Sequence, residues 1–311
     1  MSRIVVTGGA GFIGSHLVDA LLAAGHAVLV VDDLSTGHRA NLDRRARLTV
    51  ADVADPAVMR AALANADACF HLAAIASVAR GNTDWVGTNR TNLAGTISVL
   101  DAARAAGGIP VVYASSAAIY GRQAAPRLHE GLAPAPMSAY GADKLGSELH
   151  AAVGFGVHGV PTCGFRFFNV YGPRQDPRSP YSGVISIFAD RIAGNAPITI
   201  DGDGGQTRDF IYVGDIVRHL LAGLAHIQAR PGAVVFNACT GRATTIRELA
   251  ETIGVVAGRA PRLGFGPPRP GDIRHSLGDP AAAGAALGTA ARTMLADGLA
   301  ATVGFPAQLA A

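Results

Sequence analysis

Residues 3–14 read R-I-V-V-T-G-G-A-G-F-I-G. The apolar run Ile4–Thr7 reads as a buried strand, and glycines 8, 11 and 14 follow it with no spacer. Glycine is needed where a turn is tight, where backbone must approach a pyrophosphate, and where a helix must pack close to a sheet. Ile13, Leu17, Val18, Leu21 and Leu22 then recur at helical spacing, and Gly25 closes that helix. This order puts an anion at a helix N-terminus, whose free N–H groups and dipole favour negative charge. The second strand, Ala27–Val31, runs into Asp32, 18 residues after Gly14. A carboxylate there can hold the adenosine ribose hydroxyls and repels a 2′-phosphate, so NAD is expected over NADP. Arg39 is the nearby cation that would oppose this preference.

The alternation continues along the first half of the chain. Leu48–Val50, Ala68–Leu72, Pro110–Ser115 and Pro161–Phe168 read as strands, and residues from about 92 to 106 and from 140 to 153 as helices. Strand and helix in turn predict an α/β fold with a doubly wound parallel sheet. After Asn169 the pattern gives way to Pro- and Gly-rich stretches, GPRQDPRSP, DGDGG and GFGPPRPGD, of the kind that build binding sites.

Composition excludes several classes. Hydrophobic residues make up 49% and charged residues 16% of the 311, as in globular proteins. The net charge is only +3, and the densest basic run, Arg44, Arg45 and Arg47, has no aromatic interleaving, so no nucleic-acid partner is expected. Cys69, Cys163 and Cys239 are far apart, and the ten His residues include no H-E-x-x-H, so neither a disulfide frame nor a metal is expected. No apolar run reaches membrane-spanning length, and the sequence predicts a cytoplasmic protein without a membrane partner.

Residues 138–144 read S-A-Y-G-A-D-K. Lys144 is the sole lysine; the other 25 of the 26 basic residues are arginine. One position has therefore kept the compact ammonium that a guanidinium cannot imitate. On a helix Tyr140 and Lys144 stand at i and i+4 and face the same way. An unperturbed tyrosine titrates near 10 and is a poor base at neutral pH, and a fixed ammonium beside it favours the phenolate.

TGGAGFIG, DDLSTG, HLAA at 71–74, SSAAIYG at 115–121, YGADK and RFFNVYGPRQ together resemble the extended short-chain dehydrogenase/reductases, and among them the nucleotide-sugar epimerases of the UDP-hexose 4-epimerase group. The resemblance runs from residue 1 to about 280. It implies a Rossmann-type NAD-binding domain over residues 1–169, to which about 213–237 return. A smaller α/β C-terminal substrate domain would comprise 170–212 and 238–311. It implies that Tyr140, with Lys144 and Ser116, takes the proton from a sugar 4-hydroxyl while C4 passes hydride to NAD, and that the 4-keto sugar turns over before hydride returns. By the same resemblance Gly8, Gly11, Phe12, Ile13 and Gly14 hold the pyrophosphate, and Asp32, Asp33, Thr36 and Gly37 the adenosine ribose. Asp52 and Val53 would border the adenine. Leu72, Ala73, Ala74, Asn92 and Ser115, with Tyr140, Lys144, Phe167 and Phe168, complete the cofactor groove. Ser77, Ser116, Tyr140, Asn169, Arg208, Arg269, Asp272 and Ser276 are carried over as substrate-binding, the arginines as forks for a diphosphate.

Dehydratases of the superfamily carry an acid pair just after the catalytic hydroxyl, where this chain has Ala117 and Ala118. Alanine moves no proton, which favours epimerisation. Ser276 falls where the resemblance places a pocket-size determinant. A small residue there leaves room for an N-acetyl group, so UDP-GlcNAc/UDP-GalNAc is the favoured pair and UDP-Glc/UDP-Gal a further one. The alternatives are a UDP-glucuronate 4-epimerase, another NDP-sugar epimerase or reductase, and, from a different class, a catalytically silent NAD-binding regulator. Family members pair through the helices that begin near Asn92 and Tyr140. A homodimer built on a four-helix bundle is therefore expected, with Ala94, Gly95, Ala103, Ala142, Gly146 and Ala151 permitting close approach. The loop 79–88, near the substrate in the family, is unusual here.

Overall fold

Ile4 and Val6 belong to one apolar cluster and Val5, between them, to another; each is at most 3% exposed. A strand whose alternate residues are all apolar is buried on both faces, which requires helices above and below it. The computed structural model describes residues 1–176, 183–269 and 272–303. Parts of the GPRQDPRSP and GFGPPRPGD stretches, and the end of the expected 238–311 segment, lie outside the described residues.

The chain begins with β1 (Arg3–Thr7), α1 (Phe12–Ala23), β2 (Ala27–Asp32), β3 (Arg47–Val50), α2 (Pro56–Leu63) and β4 (Ala68–His71). Two short helices, α3 (Val78–Thr83) and α4 (Trp85–Asn89), lead through a π-helical turn at Arg90–Ala94 into α5 (Gly95–Ala105) and β5 (Val111–Ser116). Next come α6 (Ala139–His158), β6 (Thr162–Phe167), β7 (Asn169–Tyr171), α7 (Val184–Ala193), β8 (Ile198–Asp201), β9 (Thr207–Arg208) and β10 (Phe210–Tyr212). Then α8 (Val213–Ala229) and β11 (Ala233–Ala238) precede β12 (Thr244–Thr245), α9 (Ile246–Val256), β13 (Leu263–Gly266), α10 (Ala281–Leu287) and α11 (Leu295–Val303).

Seven strands form one parallel sheet in the order β11-β6-β5-β4-β1-β2-β3. On one face, Leu17, Val18 and Leu21 of α1 and Ile216, Leu220 and Ile227 of α8 share a cluster with Ile4, Val6 and Phe165. On the other, Met59 and Leu63 of α2, Val99 and Ala103 of α5, and Ala151 of α6 pack on Val5, Cys69 and Val111. This is the doubly wound α/β arrangement that the strand–helix alternation predicts. The strand order reverses between β1 and β4, and the crevice outside the carboxyl ends of strands at such a switch point is where open α/β sheets take ligands.

The smaller part is built from β8 paired with β13, β9 with β12 and β7 with β10. Ile185, Phe188 and Ile192 of α7 and Leu249 and Ile253 of α9 give it a core of its own. Asp209 ties this part to the end of the sheet. It is fully buried, and its carboxylate accepts from the Thr240 N–H and hydroxyl and from the Gly241 N–H at 2.7–2.9 Å.

Three elements depart from the sequence reading. The helix expected to end near Val153 runs to His158, because Gly154 and Gly156 are tolerated inside it and Gly159, at φ +69°, supplies the left-handed cap. The helix expected from Asn92 opens as a π turn, a form common at functional sites. Residues 79–88, read as a loop, are mostly helical, with Ser77 and Asp84 as N-caps accepting from Arg80 N–H and Gly87 N–H.

Candidate active site and dinucleotide groove

A cavity of about 580 Å³ opens where β1 and β4 part. Gly8 sits at its floor with φ +68°, and a Cβ there would lie 2.6 Å from the Ala73 nitrogen. A Cβ on Gly14 would collide with the Gly8 carbonyl oxygen. The two glycines therefore let β1, α1 and the strand end at Leu72–Ala73 come within backbone contact. Gly11, the residue before helix α1, has no side chain to cap it, so the first N–H groups of the helix are left for an anion.

Asp32 ends β2 on the same cavity, 6% exposed. Its two oxygens accept from Ala10 N–H and Leu34 N–H, both at 2.9 Å, fixing the glycine turn and the 33–37 loop to one carboxylate. Burial raises its pKa, and the two backbone N–H groups hold it down. Asp33 accepts from the Ser35 N–H and hydroxyl at 2.9 and 2.6 Å. Thr36, Gly37, Asp52 and Val53 line the same end of the cavity, and Asp52 also pairs with Arg90 at 2.8 Å. An anion-receptive helix end, a backbone cradle that any Cβ would fill, and an acidic far wall together suit a dinucleotide, so these residues fit NAD.

At the other end stand Ser116, Tyr140 and Lys144. Ser138 caps α6 by accepting from Gly141 N–H at 3.1 Å, which sets Tyr140 in the first turn. The Lys144 side chain is 3% exposed, lies 5.9 Å from the centroid of the Tyr140 ring and donates to the Ala114 carbonyl at 2.8 Å. Burial brings its pKa down to about 8, against which the neighbouring Asp143 carboxylate acts. Burial also raises the Tyr140 phenol, and the Ser116 hydroxyl beside it pulls it back. Ser116 in turn accepts from Ala118 N–H at 3.1 Å, capping the 3-10 turn Ala117–Ile119. A phenol, a hydroxyl and an ammonium thus meet at one point, equipped to move a single proton.

The cavity also gathers Gly11, Phe12, Ile13, Leu72, Ala73, Ala74, Phe167, Phe168 and Asn169. Other expected residues are placed differently. Asn92 lies behind the wall, not on it: it is fully buried, and its amide accepts from Ile75 N–H at 2.8 Å and donates to Ile75 carbonyl at 3.2 Å. Both ends are consumed in holding the 72–76 segment. Ser77 is likewise off the cavity lining, its hydroxyl spent on capping α3. Ser115 borders the cavity but donates its hydroxyl to Glu148 at 2.5 Å.

Arg208, Arg269, Asp272 and Ser276 are outside this cavity and form a group in the smaller part. Arg208 meets Asp272 at 2.6 Å, Arg269 meets Asp201 at 2.5 Å, and Ser276 N–H donates to the Thr207 carbonyl at 3.2 Å. Asp272 and Arg208 are therefore each other's partners, where the sequence reading assigns them to different portions of a nucleotide.

Arg80 and Asp84, from the 79–88 segment that the resemblance places near the substrate, line the cavity, and Arg174 and Gln175 join them unanticipated. Arg174 has φ +66° and reaches Asp19 of α1 at 2.8 Å, which folds the GPRQ stretch over the helix that opens the groove.

Residues 4–239 match the family model described as the NAD dependent epimerase/dehydratase family. A UDP-glucose 4-epimerase of Mycolicibacterium smegmatis is 38% identical over 97% of this chain and 98% of its own. The structure of a UDP-glucose 4-epimerase from Thermotoga maritima, solved with UDP-glucose, superimposes with a TM-score of 0.92 at 36% identity, covering 97% of this chain and 98% of that one. A UDP-N-acetylglucosamine 4-epimerase from Methanobrevibacter ruminantium, in complex with UDP-N-acetylmuramic acid, gives 0.92 at 34%, covering 98% and 97%. With the glycine turn, the acid at the end of β2 and the Tyr140–Lys144 pair in one cavity, the chain belongs to the NAD-dependent epimerase/dehydratase family.

Proposed function

We propose that this protein inverts the C4 centre of a UDP-sugar, with UDP-GlcNAc/UDP-GalNAc as the favoured pair and UDP-Glc/UDP-Gal also accepted. The observation that carries the reading is the meeting of Tyr140, Ser116 and Lys144 at one end of a dinucleotide groove, beside alanines at 117 and 118. NAD, when bound, supplies the acceptor and then the donor of hydride at the sugar carbon. Tyr140 accepts the proton of the 4-hydroxyl and later returns it, while Ser116 holds the sugar oxygen and the phenol in one hydrogen-bonded line. Lys144, fixed by the Ala114 carbonyl, stabilises the phenolate. No acid stands at 117 or 118 to expel a C6 hydroxyl, which separates epimerisation from dehydration.

Binding is assigned as follows. The groove from Gly8 to Val53 takes the cofactor. Asn169, at the end of the cofactor part, is offered to the diphosphate together with Arg208 and Arg269 of the substrate half (170–212 and 238–311), and Asp272 to the ribose. Ser276 stands at the sugar 2-substituent. The names of the Mycolicibacterium, Thermotoga and Methanobrevibacter relatives support a UDP-linked hexose or N-acetylhexosamine.

A homodimer is assigned to the outer faces of α5 and α6. Leu149, Val153 and Val157 lie one turn apart on α6 and are 61%, 53% and 69% exposed, with Ile97 of α5 at 38%. Four of the six small residues expected at that seam do other work, while Ala142 is exposed. Ala103 and Ala151 belong to the core, and a Cβ added to Gly95 or Gly146 would come within 3.0 Å of the Val53 or Leu93 side chain. The contact is thus expected through the larger apolar side chains. Val153→Glu is expected to sediment as a monomer where the unaltered chain is a dimer; an unchanged sedimentation coefficient would move the interface elsewhere.

Incubation of the purified protein with UDP-GlcNAc, UDP-Glc and UDP-glucuronate, without added cofactor, is expected to give UDP-GalNAc and UDP-Gal by NMR. Conversion of UDP-glucuronate alone would discard the N-acetyl assignment, and conversion of none would discard the activity. Ser276→Tyr is expected to reduce turnover of UDP-GlcNAc about tenfold more than that of UDP-Glc, a loss of the size that pocket shape alone supplies. Tyr140→Phe is expected to retain NAD and its melting temperature while kcat falls roughly a hundredfold to ten-thousandfold.

Lys144 makes a pH-dependent prediction for stability. Its ammonium titrates at about 8 in the folded chain against 10.5 ordinarily, so the folded state holds a buried charge at a cost of about 3 kcal/mol. That cost is complete below pH 8, shrinks as the pH rises through 8 towards 10.5, and is gone above it. Lys144→Met is therefore expected to raise urea resistance at pH 7, to lose that advantage near pH 10, and to lose activity at both. A variant less stable than the parent at pH 7 would show that the ammonium is net stabilising.

A further inference from the structure

The inward face of α6 carries a third residue in line with the first two. Tyr140, Lys144 and Glu148 stand one turn apart, and Glu148 meets a row of polar side chains laid across the sheet. Ser115 of β5 is in register with Arg166 of β6, and Arg166 with Asn237 of β11. Glu148 accepts from the Ser115 hydroxyl at 2.5 Å, and from Arg166 Nε and Nη2 at 3.0 and 2.8 Å. Arg166 Nη1 donates to the Tyr120 hydroxyl at 2.9 Å, which donates to Asn237 Oδ1 at 2.7 Å. The side chains of Arg166 and Glu148 are each 7% exposed, and neither lines the cavity.

Stability alone does not call for a buried ion pair here, since well-packed apolar residues of the same volume do as well or better. Its position supplies the reason. Ser115 lies between Ala114, whose carbonyl receives Lys144 Nζ, and Ser116, whose hydroxyl sits beside Tyr140. Three successive residues of β5 thus each grip one of three successive turns of α6. Apolar contacts are non-directional and let a helix slide over a sheet. A bidentate guanidinium–carboxylate fork fixes both distance and angle, and does so more stiffly where water is excluded.

We propose that Glu148, clamped by Arg166 and Ser115, is a positioning residue that sets α6 at the one register in which Tyr140 reaches the substrate hydroxyl and Lys144 reaches Ala114. It acts on the proton-transfer step and not on binding. The proposal rests on the proton-transfer role assigned to Tyr140. A displacement of about 1 Å at a reacting group costs on the order of a hundredfold in rate, so a modest loss of grip is measurable.

The test uses the full chain with bound NAD. Ser115→Ala removes one of the three bonds, and the double variant Glu148→Gln/Arg166→Met removes the pair without stranding a charge. Both are expected to fold and retain NAD, to keep KM for the UDP-sugar within about twofold, and to lose kcat by about tenfold or more. A second readout needs no sugar. The phenolate absorbance of Tyr140, taken as the difference from the same variant carrying Tyr140→Phe, is expected to appear at higher pH once Lys144 is no longer held in place. Lys144 and Asp143 share the helix of Tyr140, and Arg80, Asp84, Arg90, Arg174 and Asp176 line the same cavity with Asp32, Asp33 and Asp52 at its far end; none is altered in these variants. Wild-type kcat and an unmoved Tyr140 titration in both variants would overturn the proposal, as would a loss confined to KM or to melting temperature. If the parent protein converts no UDP-sugar, the assigned activity falls, while the Tyr140 titration still decides the role of Glu148.

Discussion

The contact of Gly14 with the Gly8 carbonyl is the constraint from which the rest of the groove follows. A side chain at Gly14 would push α1 away from the end of β1 and lift its N-terminus off the switch point, and one at Gly8 would strike the Leu72–Ala73 backbone that follows β4. With both absent, the first N–H groups of α1, the Leu72–Ala73 backbone and the carboxylate of Asp32 are all brought to one cavity. Asp32 reinforces the arrangement from the opposite side, since one carboxylate holds both Ala10 and Leu34. The cradle is therefore built from backbone, and side chains enter it mostly as supports.

A different physics governs the reacting end. Two ionisable groups, Tyr140 and Lys144, are taken out of water, and burial shifts each towards its neutral form. Neighbouring groups oppose this: the Asp143 carboxylate on the ammonium and the Ser116 hydroxyl on the phenol. Such a site is held in tension between desolvation and its polar neighbours, which α6 positions. The polar row beneath it, Ser115–Arg166–Asn237 with Glu148 above, gives the helix a directional seat that an apolar interface could not supply.

The sheet and the cofactor end were legible because local chemistry dictates them. Alternating apolar strands, a glycine turn and an acid 18 residues on leave few other structures. Legibility failed where a residue's role depends on a partner distant in sequence. Asn92 carries no local sign that both ends of its amide go to Ile75, nor Ser77 that it caps a helix across what reads as a loop. Glu148 and Arg166 pair across 18 positions, and their meeting depends on how α6 crosses β6. Helix ends were misjudged for a related reason: Gly154 and Gly156 resemble terminators in sequence, but only Gly159 adopts the left-handed conformation.

In the proposed reading the substrate arginines are kept ready by carboxylates. Arg269, 77% exposed, meets Asp201, an exposed pair of little worth, so a diphosphate can take over its guanidinium at small cost. Arg208 is only 18% exposed and spends one nitrogen on the Thr207 carbonyl and another on Asp272, which fixes the plane of its fork. An incoming anion must compete with Asp272, and a ribose hydroxyl is the group that can engage the displaced carboxylate. One ligand carrying a diphosphate next to a ribose would engage both partners of the opened pair, whereas a simple phosphate engages only Arg208 and leaves Asp272 to water. Under the proposed function the pairing of Arg208 with Asp272 would favour a nucleoside diphosphate, through two residues that the sequence alone assigns separately.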